Sequence, residues 1–226
     1  MMNVLTLNRI DNVTHDTYSL TCSKPDDISF TPGQATMLSV LKDGWRDEGR
    51  PFTFTSQPDD DTLEFVIKAY PSHNGVTEQI SQLVPGDTLE MGKIWGAIKD
   101  EGPGIFIAGG AGITPFIPIL RRRAKAKTLE GCTLVFAAKM ERDLILRDEW
   151  DGMDTLDTRY VLSEEIVDKC DHGQIDLNIL NTYVAGQGEG SHPFYICGPD
   201  PMIDSVRENL LSLGVAKTRI VTEDGH

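Results

Sequence analysis

Hydrophobic and polar positions alternate in short runs over the first hundred residues. Leu63, Phe65 and Ile67 occupy every second position of one run, and turn signals such as Pro85-Gly86 separate neighbouring runs. A period of two is typical of strands with one buried face. The pattern predicts a small antiparallel β-barrel, with one short helix over residues 77–83.

The pattern changes after a charged stretch with glycine and proline at residues 99–104. Continuous apolar runs then alternate with helical periodicity, which indicates parallel strands and helices in a doubly wound α/β domain. The strands are predicted at 105–108, 132–137, 158–162 and 194–197. A final helix is predicted over 201–213, ending at Gly214. We therefore expect two domains, residues 1–99 and residues 100–226.

The charge of the chain narrows the choice of partners. Its 226 residues carry a net charge of −14, which repels polyanions and argues against nucleic acid or an anionic membrane as a partner. The N-terminal apolar run is interrupted by Asn3, Asn8 and Arg9, so it predicts neither a signal peptide nor a membrane span, and we expect a cytoplasmic protein. The four cysteines are far apart, so no metal site is expected.

One segment, residues 50–56, combines a fixed cation with aromatic rings and hydroxyls. It reads Arg-Pro-Phe-Thr-Phe-Thr-Ser and is predicted to be extended. In a strand, Phe52 and Phe54 share a face with Arg50, and we take that face as the ligand face. These groups suit a ligand that has both a phosphate and a flat ring.

A second segment, residues 105–115, is an apolar strand that breaks into a glycine-rich turn. Thr114 is predicted to cap the following helix and Pro115 to occupy its first position, which leaves backbone amides free for an anion. The turn has only two glycines of the dinucleotide-binding fingerprint, and proline replaces the third. Taken alone it is weak evidence, but with residues 50–56 it indicates two phosphate-bearing ligands.

Three consecutive arginines, Arg121, Arg122 and Arg123, form a basic cluster in the helix that begins near Pro115. Cations in the last part of a helix interact favourably with its dipole, so the favoured interpretation is a solvated helix face. The alternative is a docking patch for an acidic redox partner.

Four motifs, in this order and spacing, resemble the ferredoxin-NADP reductase superfamily over nearly the whole chain. They are Arg-Pro-Phe-Thr at 50–53, Gly-Val-Thr at 75–77, Gly-Gly-Ala-Gly-Ile-Thr-Pro at 109–115 and Tyr-Ile-Cys-Gly-Pro at 195–199. The resemblance implies a flavin-binding barrel followed by a domain that binds NADH or NADPH. It also implies a flavoprotein oxidoreductase, in which hydride passes from the nicotinamide to the flavin and electrons then leave for an acceptor.

The resemblance assigns roles in the first domain by position. Arg50 matches an arginine on the flavin phosphate, Phe52 takes the place of a ring that stacks on the isoalloxazine, and Thr53 takes that of a hydroxyl near the reactive N5 edge. The other residues implied in flavin binding are Pro51, the strand residues Val66, Ile67 and Lys68, whose backbone would line the flavin tail, and the helix start Gly75, Val76 and Thr77, with Thr77 as the cap.

In the second domain the glycine turn matches the segment that holds the dinucleotide pyrophosphate. The residues implied there are Gly110, Gly112, Ile113, Thr114 and Pro115. Cys197 matches a thiol that positions the nicotinamide without forming a covalent bond, and Gly198 and Pro199 line the same pocket. Glu223 fits an acid near the flavin, whereas Gly225 stands where many relatives have an aromatic ring, followed by His226.

The coenzymes and the acceptor are less defined. FAD is the family default and FMN is an alternative. Asp143 disfavours a 2′-phosphate while Lys139 and Arg142 attract one, and NADH is favoured over NADPH. The acceptor is expected to be a separate molecule, either a small compound or a redox protein. Two alternatives remain open: an electron-transfer subunit active only within a larger complex, and a nucleotide-binding protein without flavin.

Overall fold

The computed structural model of the chain describes residues 3–70, 75–96, 98–185 and 192–223. The first part of the chain forms one six-stranded antiparallel sheet with the strand order β4-β3-β6-β1-β2-β5. Its strands are β1 (Asn3–Asn12), β2 (Thr17–Ser23), β3 (Gln34–Val40), β4 (Arg50–Thr53), β5 (Thr62–Lys68) and β6 (Thr88–Gly96). The short helix α1 (Val76–Ser81) lies between β5 and β6. This half-barrel confirms the predicted antiparallel architecture.

The two edge strands of the sheet approach each other where β4 ends. The backbone amide of Thr55 donates to the carbonyl of Glu64 on β5 at 2.8 Å. Phe54, just before this bond, is fully buried and stacks on Phe30 with ring centroids 4.3 Å apart. The prediction that Phe54 lies on a ligand face is therefore wrong, because its ring fills the barrel core.

The second part of the chain forms one parallel six-stranded sheet with helices packed against it. Its strand order is β10-β9-β8-β7-β11-β12. The strands are β7 (Ile105–Gly109), β8 (Thr133–Ala138), β9 (Asp157–Leu162), β10 (Asp171–His172), β11 (Phe194–Cys197) and β12 (Ile220–Val221). The helices are α2 (Phe116–Ala126), α3 (Arg147–Asp151), α4 (Leu177–Ala185) and α5 (Asp200–Ser212). The predicted doubly wound fold is confirmed, and the four predicted strands agree with β7, β8, β9 and β11 to within a residue or so.

The segment that joins the domains is attached to the second one. The Tyr195 hydroxyl accepts from the amide of Glu101 and donates to the carbonyl of Gly102, both at 2.8 Å. Arg123 forms an ion pair with Asp100. These contacts fix residues 100–102 against β11 and α2.

Within the described ranges, no helix combines the length and the apolar character that crossing a bilayer requires.

Candidate functional site

The strand order creates a crevice at the carboxyl ends of β7 and β11. From β7 the chain moves to β8 and β9 on one side of the sheet, while β11 lies on the other side. The connections from these two neighbours therefore diverge, and such switch points are where open α/β sheets bind ligands. The glycine turn follows β7 directly, and Cys197 is the last residue of β11.

The two glycines of the turn have different tasks. Gly110 has φ of +53°, and a Cβ there would meet nothing within 4 Å, so the turn faces open space at this point. At Gly112, a Cβ would lie 2.3 Å from the Cys197 carbonyl oxygen. The packing of the turn against β11 therefore requires a glycine at position 112, and the contact of Gly112 with a pyrophosphate stays a prediction.

The start of α2 differs from the predicted cap. Residues 110–113 form a 3₁₀ turn, and Pro115 precedes the first residue of the helix, Phe116. The Thr114 hydroxyl donates backwards to the Ala111 carbonyl at 3.0 Å, so it does not cap α2. The turn and the helix are nearly continuous, so the glycine segment extends α2 at its N-terminal end.

Cys197 and Glu223 lie together at the crevice. The Cys197 Sγ donates to Glu223 Oε1 at 3.3 Å. Burial raises the pKa of the Cys197 thiol, and the neighbouring Glu223 carboxylate raises it further, so the thiol is neutral at physiological pH. A neutral, hydrogen-bonded thiol suits the non-covalent role that the resemblance implies. The residues Gly225 and His226 lie outside the described residues.

On the barrel side, Arg50 and Phe52 share one face of the edge strand β4. The Arg50 side chain is 52% exposed, and its Nη2 lies 3.4 Å from Glu48 Oε2, a contact that solvent weakens. Its Nη1 donates to the neighbouring Gly49 carbonyl at 2.8 Å, and because both contacts are exposed the guanidinium can still reach an external anion. Phe52 is half-buried against the barrel core, and Thr53 is buried. Pro51 is exposed between them.

Side chains of the strand β5 pack in the cores of both domains. Ile67 is buried in the barrel core, whereas Val66 belongs to the same buried cluster as Ile113 and Cys197 of the second domain. The Lys68 side chain is held by Asp16, with 2.7 Å between Nζ and Oδ2. Lys68 can therefore contribute to a ligand site mainly through its backbone, as expected.

The helix start proposed for a phosphate is short. Gly75 occupies the N-cap position of α1, and the hydroxyl of Thr77 makes no capping hydrogen bond. The prediction that Thr77 caps this helix is therefore wrong, because the helix begins one residue earlier, at Val76. The preceding residues, 71–74, lie outside the described residues.

The residues expected at the adenosine end already have partners within the chain. Lys139 Nζ lies 2.9 Å from Glu164 Oε1, and the pair is exposed. Asp143 Oδ2 accepts the amide of Met140 at 3.0 Å, and its Oδ1 lies 3.6 Å from His15 Nδ1. The sequence reasoning missed Glu164, which follows β9 and could have been found as an acid at the carboxyl end of a strand beside β8.

The arginine cluster is not a solvated face. Arg121 and Arg123 form ion pairs and are largely buried, while Arg122 alone is exposed. Arg121 holds Glu149 within its own domain and Glu64 on the barrel. Both interpretations of the triplet are therefore corrected, because two of its three charges are already paired. Among the described residues, no group of three His, Cys, Asp or Glu side chains is placed to hold a metal ion.

The geometry fits the two ligands that the resemblance implies. A flavin nucleotide needs a cation for phosphate and an apolar surface for its ring, and Arg50 and Phe52 offer these on one face of an edge strand. A nicotinamide dinucleotide needs an open turn, which the free space beside Gly110 provides. The neutral thiol of Cys197 borders the same crevice.

Comparison with known proteins supports this assignment. A family model described as an FAD-binding domain matches residues 1–103, and one described as an oxidoreductase NAD-binding domain matches residues 106–208. The chain is 29% identical over 228 residues to the reductase component of propane 2-monooxygenase from Rhodococcus jostii, covering 95% of this chain and 61% of that protein. It is 27% identical to NADH-cytochrome b5 reductase 2 of Mycosarcoma maydis, covering 89% and 63%.

Solved structures share the fold. A ferredoxin NADP+ reductase from Neisseria gonorrhoeae with bound FAD and NADP superposes with a TM-score of 0.85 at 20% identity, covering 97% of this chain and 96% of that one. The chain spans about three fifths of the length of the curated relatives described above. The two family models together match most of the chain, one in each observed domain. The first half of the chain therefore belongs to the FAD-binding family and the second half to the oxidoreductase NAD-binding family, and together they have the fold of ferredoxin NADP+ reductase.

Proposed function

We propose that this chain is an NAD(P)H-dependent flavoprotein reductase that passes electrons from a nicotinamide dinucleotide through FAD to a separate acceptor. The observation that carries the proposal is the packing of β5 against the second domain. Val66, from the strand assigned to the flavin, shares a buried cluster with Ile113 of the glycine turn and with Cys197. The elements assigned to the two ligands thus form one packed unit, as transfer between two rings in contact requires.

Each side of the site has a defined task in this proposal. A bound flavin would supply the redox chemistry, the uptake of a hydride and the release of electrons. Arg50 would hold its phosphate, and Phe52 and Thr53 would lie against its ring. The glycine turn holds the pyrophosphate of the dinucleotide, while the neutral thiol of Cys197, oriented by Glu223 at 3.3 Å, sets the position of the nicotinamide. No proton transfer by a side chain is needed for the hydride step.

The purified protein is expected to be yellow and to oxidise NADH in the presence of ferricyanide. Absorbance spectroscopy, chromatography of the released flavin and steady-state kinetics measure these properties. A colourless protein that fails to take up FAD would contradict the flavin assignment. A yellow protein without turnover would instead favour the alternative of a subunit that works only within a complex.

We also propose that NADH is preferred over NADPH. The charge of Lys139, which would attract a 2′-phosphate, is offset by Glu164, and this pairing raises the pKa of Lys139. The names of the relatives point to acceptors such as an oxygenase component or a cytochrome b5. We propose a separate redox protein or small molecule for this chain as well.

Glu164→Gln is expected to improve the use of NADPH. The substitution frees the Lys139 ammonium group for the 2′-phosphate, and because the site is exposed we expect kcat/KM for NADPH to rise only about two- to fivefold. Steady-state kinetics with each coenzyme measure this ratio. Glu130→Gln, an exposed site ahead of β8, makes the same change in net charge and should leave the ratio unchanged. A fall in NADPH use by Glu164→Gln would contradict the assignment.

A further inference from the structure

Arg121 connects its own helix, α2, to α3 of the second domain and to β5 of the barrel, which are far apart in the sequence. Its Nε and Nη2 donate to the two carboxylate oxygens of Glu149 on α3, at 2.6 and 2.8 Å. Its Nη1 donates to Glu64 Oε1 on β5 at 2.7 Å and to the Thr55 carbonyl at 3.2 Å. The guanidinium therefore holds its own domain with one edge and the barrel with the other.

The barrel side of this contact is itself held together by hydrogen bonds. The Thr55 amide donates to the Glu64 carbonyl at 2.8 Å, and the Thr55 hydroxyl donates to Glu64 Oε1 at 2.7 Å. The amide of Glu64 in turn donates to the Ser56 hydroxyl at 3.0 Å. We call Thr55, Ser56 and Glu64 the β4–β5 corner. Because Thr55 lies two residues after Thr53, the corner continues directly from the strand assigned to the flavin ring.

Two further polar contacts of α2 with the barrel lie on the same face of the helix. Gln57 Nε2 donates to the Pro118 carbonyl at 3.0 Å, one turn before Arg121. Lys125, one turn after Arg121, pairs with Asp59 at 3.2 Å, but both side chains are more than 70% exposed. Solvent weakens that pair, so Arg121 carries the strongest polar contact along this face.

The position of α2 decides where the dinucleotide lies. The glycine turn runs into α2 almost without a break, so a shift of the helix moves the turn with it. We propose that Arg121 is a positioning residue: by clamping α2 to the β4–β5 corner, it sets the approach of the nicotinamide to the flavin. This inference rests on the proposed function.

Burial of Arg121 does not weaken the clamp. Burial alone lowers the pKa of the guanidinium, but Glu149 and Glu64 raise it above its ordinary value, so the charge persists at any physiological pH. The side chain is 26% exposed, and Glu64 and Glu149 are exposed to a similar degree. The contact is therefore less screened by salt than a surface pair.

Arg121→Gln in the FAD-loaded protein tests the proposal, with Arg122→Gln as the matched control. Arg122 is the next residue on α2, and its side chain is exposed. Stopped-flow absorbance measures the reduction of bound flavin by NADH, with FAD added in excess where needed. We expect Arg121→Gln to slow the reduction about ten- to a hundredfold, because a displacement of about 1 Å has that effect. The Kd for NADH and the flavin spectrum should stay close to those of the wild-type protein.

Hydrogen exchange provides a readout that does not depend on turnover. In Arg121→Gln the amides of the β4–β5 corner should exchange faster, while those of β8 and β9 should not change. Glu64→Gln, which weakens the contact between domains, should reproduce most of the slowing. Glu149→Gln, which weakens only the contact within the second domain, should have the smaller effect.

The results separate this inference from the proposed function. Equal reduction rates in Arg121→Gln and Arg122→Gln would overturn the inference, while rapid reduction of the wild-type flavin would leave the proposed function in place. Slowing by Glu149→Gln without slowing by Glu64→Gln would also overturn it. A wild-type flavin that neither NADH nor NADPH reduces would overturn the proposed function, and the inference with it.

Discussion

Arg50→Ala is expected to purify largely colourless while remaining folded. The guanidinium lies on an exposed edge strand and is only weakly paired with Glu48, so its loss removes a ligand contact and no core packing. A charge-assisted hydrogen bond contributes about 1.5–3 kcal/mol, which lowers FAD affinity about ten- to a hundredfold. The ratio of flavin to protein absorbance after purification measures the effect, and circular dichroism checks the fold.

Arg46→Ala is the matched control for this change. Arg46 is an exposed arginine four residues earlier, in the loop before β4, and its removal alters the net charge by the same amount. Flavin content in Arg46→Ala should equal that of the wild-type protein. If Arg50→Ala also retains full flavin, the assignment of Arg50 to the phosphate is wrong, and the binding cation must lie elsewhere.

Gly112→Ala should damage both stability and hydride transfer. The new Cβ would lie 2.3 Å from the Cys197 carbonyl oxygen and 2.5 Å from the Gly198 amide, and both are backbone atoms that cannot rotate away. Such overpacking costs about 1–3 kcal/mol of unfolding free energy. The end of β11 must also shift, and with it the hydrogen bond between Cys197 and Glu223.

Calorimetry and stopped-flow reduction by NADH measure these two effects of Gly112→Ala. A melting temperature lower by several degrees is expected for the NAD-binding domain, together with slower reduction of the flavin. Gly96→Ala provides the control, because a Cβ at Gly96 meets nothing within 4 Å. Gly112→Ala with wild-type stability and rate would show that the turn can move away from β11 at little cost.

The architecture could be predicted because it depends on local apolar patterns. The continuous run Phe194–Cys197 forms a central strand, β11, since a parallel strand is buried on both faces. The alternation of Leu63, Phe65 and Ile67 likewise placed these side chains in the barrel core. In contrast, β10 and β12 have two residues each, too few for any period to be read.

The exposure of a side chain was mispredicted where its contact partner lies far away in the sequence. Glu64 and Val66 alternate with core residues of β5, a pattern typical of a strand with one solvated face, yet that face meets the second domain. Arg121 has the same sequence character as the exposed Arg122, but its two acidic partners lie 28 and 57 residues away. Sequence spacing shows which residues lie on the same face of a strand or helix. It does not show whether solvent or another part of the protein covers that face.

Caps were mispredicted for a related reason. A threonine before a helical pattern is a good cap only when its backbone is extended. Thr114 has αR dihedral angles, because the 3₁₀ turn before it is already helical, and its hydroxyl therefore bonds backwards to Ala111. The assignments of Arg50, Phe52, Cys197 and Glu223 to ligands remain predictions; Arg50→Ala tests the first, and Gly112→Ala disturbs the pair of Cys197 and Glu223.

The attachment of residues 100–102 to Tyr195 and Arg123 has a consequence for recombining this protein with its relatives. A crossover placed after residue 103 would separate Glu101 and Gly102 from the tyrosine hydroxyl that satisfies both, and Asp100 from its arginine. The first half taken from the relative would then have to supply groups that match Tyr195 and Arg123. A junction just ahead of Asp100 keeps these bonds within one parental segment, so hybrid reductases cut there should fold with the second half intact.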